Sequence, residues 1–402
     1  MKQFTFTLVS SALCLIVLAG DGLAAEADIA YQPGTLAKAI QPFVDDHTIA
    51  GAVLLVANKD RILAEETVGF ANVETQTPMS KDNMFWIASE TKSFTTVALM
   101  MMVDRGKVNL DDPVSKYLPE FAGQQVVEKQ ADGSMAAARA PASPLLVREL
   151  LNHTSGLVQD RAFGGRPDYH IKEYVGLLAS QPLQHDPGTH FEYNNSNFET
   201  AGRIVEVASG VPYEQFLHDN LIQPLSMTNT VWWATDDQKP RFAMAYDYSE
   251  TPPGYKACGP QRGFYMSPPN LRTPNPAGGL ASNAEDMSRF ARMLLRGGEL
   301  DGHRYIAASD VRQMGSTQTA GVLPGEGGYG FGMFTRTKDH GQAGVAPGYF
   351  GHEGAWSTDF EVDPQDGLVF ITMMQQGGWG KGKGRGTIYD PFWKAAIAAF
   401  GK

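Results

Sequence analysis

Cysteine is nearly missing from this 402-residue chain. Cys14 and Cys258 are the two copies, so after loss of a leader no internal disulfide can form and stability must come from the core. Cys258 reads as a partly buried structural residue. Basic charge is in the minority as well: 33 Lys and Arg against 44 Asp and Glu leave a net charge of -11. That excludes the basic stripe needed to hold nucleic acid. The nine histidines never fall at H-x-x-x-H spacing, so no metal centre is expected. The glycine-rich basic stretch 377–386 does not follow G-x-x-x-x-G-K-[ST], so it is not read as a phosphate loop, and no G-x-S-x-G elbow occurs. No cofactor is expected. One apolar run alone comes near membrane-spanning length, at residues 4–18. With Lys2 before it and Gly22-x-Ala24 after it, residues 1–24 read as an export signal, which predicts a periplasmic or secreted protein with no stable span after cleavage. A lipid anchor on Cys14 is not expected, because Leu13 beside it is bulky.

What is present reads as globular: 43% hydrophobic and 19% charged residues, with 43 Gly and 24 Pro to make turns. Residues 33–46 predict a first helix with Leu36, Ile40 and Phe43 on one face. G-A-V-L-L-V-A, the turn N-K-D at 58–60 and R-I-L-A-E-E-T-V-G-F predict a hairpin. The far end mirrors it with W-S-T-D-F-E-V at 356–362, a turn at 363–367, L-V-F-I-T-M-M and a last helix at 389–400. The expected fold class is therefore α/β: an antiparallel sheet built from both chain ends, flanked by helices, with a large, mostly helical inserted region. Helical patterns in the middle fall at 94–105, 147–152, 171–178 and 198–208, and S-N-A-E at 282–285 reads as a capping box. Residues 123–144 read as a surface excursion and 251–276 as a long irregular loop. The expected organisation is one catalytic domain over 25–402, with an α/β part at about 30–88 and 310–402 and a helical part at about 89–309.

The stretch I-A-S-E-T-K-S-F at 87–94 sets Ser89 and Lys92 three residues apart, where an almost wholly apolar helix begins. It is either a plain helix start with a solvated lysine or a nucleophile with its base. A lysine buried there loses solvation and favours the neutral amine, which can take the proton of a serine attacking a carbonyl. Two further stretches carry suitable groups. F-E-Y-N-N-S-N at 191–197 offers the Tyr193 phenol and the Asn195 amide. G-Y-F-G-H-E-G-A-W at 348–356 offers His352 and, at Gly354, close approach of a substrate to backbone. A backbone N–H there could pair with that of Ser89 as an oxyanion hole.

On these residues the chain resembles the serine β-lactamase and penicillin-binding protein superfamily, in its class C-like branch of β-lactamase-related esterases and DD-peptidases. S-E-T-K fits S-x-x-K, Y-N-N fits Y-x-N, and H-E-G stands where K-T-G or H-x-G stands. L-L-N-H-T-S-G-L at 150–157, P-L-S-M-T-N-T at 224–230 and A-G-G-L-A-S at 277–282 fit the connecting blocks, so the resemblance covers about residues 35–400. It implies a β-lactamase/transpeptidase-like fold and a serine hydrolase that works through an acyl-enzyme. Ser89 would be the nucleophile, Lys92 would help deprotonate it, and Tyr193 would share base work and protonate the leaving group. Asn195 would position Lys92 and substrate, and His352 would shape the opposite wall. The amides of Ser89 and Ala355 would form the oxyanion hole, and His153 would support a turn beside the cleft.

The third block departs from the pattern. His352 is expected to be neutral and Glu353 adds negative charge, which disfavours recognition of a carboxylate. Trp356 reads either as a wall of the acyl pocket or as a core aromatic. The expected substrate is a small-molecule ester, amide, D-amino-acid peptide or β-lactam. An esterase-like or peptidase-like hydrolase leads. A class C-like β-lactamase or DD-carboxypeptidase and a non-catalytic penicillin-binding-like scaffold are the alternatives.

Overall fold

The computed structural model describes residues 1, 31–130, 134–159, 170–250, 253–259, 273–323, 327–336, 347–379 and 383–401. Residues 2–24 of the expected export signal, Cys14 and most of the expected 251–276 loop lie outside them.

The strands run in order β1 (Gly51–Asn58), β2 (Ile62–Asn72), β3 (Thr77–Pro78), β4 (Phe85–Trp86), β5 (Val126–Lys129), β6 (Met135–Arg139), β7 (Ala245–Glu250), β8 (Pro253–Gly259), β9 (Ala281–Ser282), β10 (Glu299–Leu300), β11 (His303–Arg304), β12 (Gly327–Tyr329), β13 (Phe334–Arg336), β14 (Phe350–Glu353), β15 (Asp359–Asp363) and β16 (Leu368–Met373). The helices are α1 (Thr35–Asp45), α2 (Thr91–Asp104), α3 (Val147–Leu151), α4 (Ile171–Ala179), α5 (Asn195–Ser209), α6 (Tyr213–Leu217), α7 (Ala284–Leu295), α8 (Ala308–Met314) and α9 (Gly386–Phe400). Eight strands form one antiparallel sheet in the order β12-β13-β14-β15-β16-β1-β2-β3. Both chain ends build it, as expected: β1 lies between β2 and β16, with Val53 opposite Met373.

The central strands read as unbroken apolar runs because both their faces are covered. Val53, Leu55 and Ala57 of β1 join the core under α2 and α7. Ala52, Leu54 and Val56 join the one under α1 and α9. On α1 the buried stripe is Leu36, Ile40 and Val44, at spacings of four, so Phe43 sits at its edge rather than within it. Glu66 of β2 caps α1 from outside: its carboxylate accepts from the Gly34 amide at 2.6 Å and the Ala37 amide at 2.7 Å.

Two local expectations are corrected. The cap of α7 is Asn283, whose side chain accepts from the Asp286 amide at 3.0 Å. Ser282 instead continues β9 and meets Thr230 at 2.8 Å. Residues 253–259, expected within an irregular loop, instead form β8 paired with β7, while the expected surface excursion at 123–144 carries the β5–β6 hairpin. Helix α7 lies inside the span expected to be the helical part, yet it packs on the sheet, with Phe290 stacked 3.9 Å from Phe94 of α2. Among the described residues no helix is long and apolar enough to cross a membrane.

Candidate active site

Ser89 stands in a single 3-10 turn, Ala88–Glu90, that runs directly into α2. The turn is held from one side by the β4–β9 pair and by the Ile87 amide, which donates to Leu280 O at 3.1 Å. Ala88 takes φ 45, a left-handed backbone that costs an alanine roughly 1 kcal/mol and that the surrounding structure enforces. Ser89 is half-buried at the N-terminal end of a helix whose residues from Thr91 to Met102 are all buried. The dipole there favours negative charge on Oγ.

Lys92 is fully buried one step into that helix. Its Nζ donates to Ser89 Oγ at 3.1 Å and to Ala277 O at 2.7 Å, and it lies 4.9 Å from the centre of the Tyr193 ring. Burial pulls the amine down to about 7, against the opposing pull of Glu199. A substantial neutral fraction therefore faces the serine near neutral pH. The Tyr193 hydroxyl is hydrogen-bonded to Ser89, and burial pushes it above the usual phenol range, so it is a neutral phenol able to donate.

The segment that presents Tyr193 is built on His153. His153 has φ 61, and its ring centre is 4.4 Å from that of Tyr193. Its Nδ1 accepts from the Asn194 amide at 3.0 Å. Burial, with the Lys92 charge beside it, holds it well below the usual imidazole range, so Nδ1 stays an acceptor. The expected supporting role for His153 matches this geometry. Asn194 caps α5, while Asn195 opens the helix with its amide donating to Gln159 Oε1 at 2.9 Å. Asn195 is not among the described partners of Lys92. The residue that holds the amine is Ala277, whose block A-G-G-L-A-S had been read only as a connecting phrase.

The opposite wall is the end of β14. His352 is 1% exposed and sits behind the wall rather than on its surface, against Tyr329 at 3.3 Å from Nε2 and Phe334 at 5.1 Å between ring centres. Its Nδ1 meets Glu353 O at 2.9 Å, and burial together with the Lys92 charge lowers it to about 3. It is neutral, as expected, and its ring is enclosed by protein. Glu353 does not leave bare negative charge: Arg385 Nη1 pairs with it at 2.9 Å, and Nη2 of the same residue donates to Ala355 O at 3.0 Å. Arg385 lies in the glycine-rich basic stretch whose phosphate reading was rejected; its charge was the signal for this role.

Gly354 is required by packing on protein. A Cβ there would stand 2.2 Å from Thr358 Oγ1 and 2.6 Å from Ile87 O. The wall and the nucleophile turn thus touch backbone to backbone. Ala355 is exposed in the following turn, and its amide donates to no described residue. Trp356 is half-buried and covers Gly377, where a Cβ would lie 2.6 Å from the indole. Among the described residues no group of three His, Cys, Asp or Glu is placed to hold a metal ion.

Known proteins resemble this chain. A protein of Mycobacterium tuberculosis described as uncharacterised is 29% identical over 368 residues, covering 84% of this chain and 88% of its own length. Among solved structures, EstCE1, described as a hydrolase with promiscuous acyltransferase activity, superposes with TM-score 0.72 at 24% identity, covering 90% of this chain and 98% of that one. The simvastatin synthase LovD of Aspergillus terreus superposes with TM-score 0.75 at 21% identity, covering 92% and 99%. At these identities both show the fold. The Beta-lactamase family matches residues 36–390, nearly the whole described domain, and the chain belongs to that family.

Proposed function

We propose that the protein is a serine hydrolase that cleaves small esters or amides through an acyl-enzyme on Ser89. The observation that carries this reading is the buried Lys92 amine, lowered to about 7, 3.1 Å from a serine hydroxyl that also meets Tyr193. Lys92 takes the proton as Ser89 Oγ attacks the carbonyl carbon. The resulting oxyanion is received by the amides of Ser89 and Ala355. The Tyr193 phenol gives its proton to the leaving oxygen or nitrogen and regains one from the Lys92 ammonium, whose nitrogen lies 4.9 Å from the centre of its ring. Water then attacks the acyl carbon, its proton returns along the same groups, and the acid leaves with Ser89 restored. Asn195, half-exposed at the start of α5, is assigned contact with substrate in this reading.

Esterase-like or peptidase-like action leads because no side-chain ammonium of β14 faces the cleft: His352 is enclosed and neutral. A second reading, a class C-like β-lactamase or DD-carboxypeptidase, gains from Arg385, which offsets the Glu353 charge that argued against carboxylated substrates. The acyltransferase activity named for EstCE1 adds an alcohol as an alternative acceptor for the acyl group. Residues 1–24 are proposed as a cleaved leader that sends a single domain, 25–402, to the periplasm or the medium; a mature N-terminus at Ala25 is the expected mass.

Intact mass after brief exposure to a short nitrophenyl ester, a penicillin and a cephalosporin, with product release followed alongside, tests the reading. Rapid ester turnover with little β-lactam turnover is expected. Ser89→Ala should lower ester turnover by at least about 10³-fold and abolish any adduct. A stable or rapidly hydrolysed β-lactam adduct on Ser89 selects the second reading. Unchanged turnover in Ser89→Ala overturns both.

A further inference from the structure

The turn that follows β14 is tied down residue by residue through its backbone, with one exception. The Gly354 amide donates to Thr358 O at 2.8 Å, and Gly354 O accepts from the Ser357 amide at 3.0 Å. Trp356 O accepts from the Gln376 amide at 2.9 Å, and Ser357 Oγ donates to Gln376 O at 2.7 Å. Ala355 joins none of these. Its amide donates to no described residue, and its carbonyl accepts from the Arg385 guanidinium at 3.0 Å.

The same guanidinium reaches the residue before the glycine: Nη1 lies 2.9 Å from the Glu353 carboxylate. One planar fork therefore holds the chain on both sides of the Gly354–Ala355 peptide, the peptide that carries the Ala355 N–H. Arg385 is itself anchored. It stands at the start of α9, where its carbonyl accepts from the Ile388 amide at 2.9 Å and the Tyr389 amide at 3.0 Å. Ile388, Tyr389 and Trp393 bury that helix against the sheet. The arginine is thus a strut from α9 to the one residue of the wall turn that the backbone leaves loose.

We propose that Arg385 is a positioning residue for the oxyanion hole, which aims the Ala355 amide by holding the Glu353 carboxylate and the Ala355 carbonyl. This rests on the acyl-enzyme reading. As Ser89 Oγ bonds to the acyl carbon, its proton passes to Lys92 and the π pair of the C=O bond moves onto the carbonyl oxygen. That oxygen is stabilised most by an N–H already pointing at it, because a donor free to swing must be reoriented during the reaction. Arg385 touches neither substrate nor Ser89 in this scheme. It acts through one peptide.

The test compares a short nitrophenyl ester with the matching thionoester, in the full chain and in Arg385→Gln, Arg385→Lys and Glu353→Gln. Sulfur accepts hydrogen bonds poorly, so the ratio of ester to thionoester turnover reports on the hole. Arg385→Gln should lower kcat for the ester about tenfold, leave KM within about twofold, and shrink the ratio about tenfold. Its melting temperature should hardly change, since a partly exposed ion pair adds little to stability. Arg385→Lys keeps the charge without the fork, and its ratio should fall between those of Arg385→Gln and the parent. Glu353→Gln removes one of the two holds and should shrink the ratio about threefold; it carries the test if Arg385→Gln fails to fold. A merely structural residue would lower the folded yield, or the turnover of both substrates alike, and leave the ratio in place. An unmoved ratio in folded Arg385→Gln, or in Glu353→Gln where that variant stands in for it, overturns the inference alone. Equal turnover of ester and thionoester by the parent overturns the oxyanion assignment and this inference with it. Unchanged ester turnover in Ser89→Ala overturns the acyl-enzyme reading as a whole.

Discussion

In the proposed mechanism Lys92 serves as base because burial lowers its amine to about 7. Lys92→Gln should lower ester turnover by about 10²–10⁴-fold, the range for a lost general base, without lowering the melting temperature, since the replaced amine is itself expensive to bury. The parent should lose activity as pH falls below about 7, where the amine takes a proton. Ala88 offers a separate check. Ala88→Gly relieves the φ 45 backbone before the nucleophile and should not destabilise the fold, as thermal unfolding would show. The meeting of Ser89, Lys92 and Tyr193 could be anticipated from the sequence, the first two by their spacing and Tyr193 by the resemblance of Y-N-N to Y-x-N. Ala277 could not, since its part is played by a backbone carbonyl meeting an amine 185 residues away. The charge of Arg385 is visible in the sequence, but its partners Glu353 and Ala355 are not, since a charge in a loop says nothing of which distant group it faces.

Strands and helices with a clear pattern were legible for physical reasons. The run G-A-V-L-L-V-A is a strand covered on both faces, and the apolar run after Lys92 is a helix covered all round. Where the reading slipped, two residues competed for one role. Ser282 and Asn283 can each cap α7, and the pairing of β9 with β4 decides for Asn283 by drawing Ser282 into a strand. At the end of β14 the motif shows a glycine but not that Ile87 and Thr358 close in on it. Gly354→Ala is therefore expected to push the wall away from the nucleophile turn. The kcat for an ester substrate should fall by at least about tenfold through misplacement of the oxyanion amides, with Ser89, Lys92 and Tyr193 all intact. Near-parental kcat in that variant would remove the coupling between wall and turn.

The sheet from both chain ends was the expected architecture, yet its β15 holds something the pattern hid. Asp359, Glu361 and Asp363 alternate with Phe360 and Val362, as on a strand with one wet face, but all three acids are buried. Arg336 meets Glu361 at 3.4 Å, while burial, with Glu353 and Asp363 nearby, raises Glu361 to about 7. An acid raised in the folded state binds its proton more tightly there than in the unfolded chain, so its contribution to stability declines as pH rises from about 4.5 to about 7. The melting-temperature difference between Glu361→Gln and the parent should shift in favour of the variant across that window and stay level above it. A constant difference would place the ionisation elsewhere. The pairing of Val53 with Met373 has a consequence for synthesis. A ribosome delivers Gly51–Asn58 long before Leu368–Met373 exists, and until then a strand apolar on both faces has an open edge. A nascent chain halted before β16 holds the whole nucleophile block but cannot close the layer beneath it, so truncated products should be substrates for holding chaperones and proteases rather than small working enzymes.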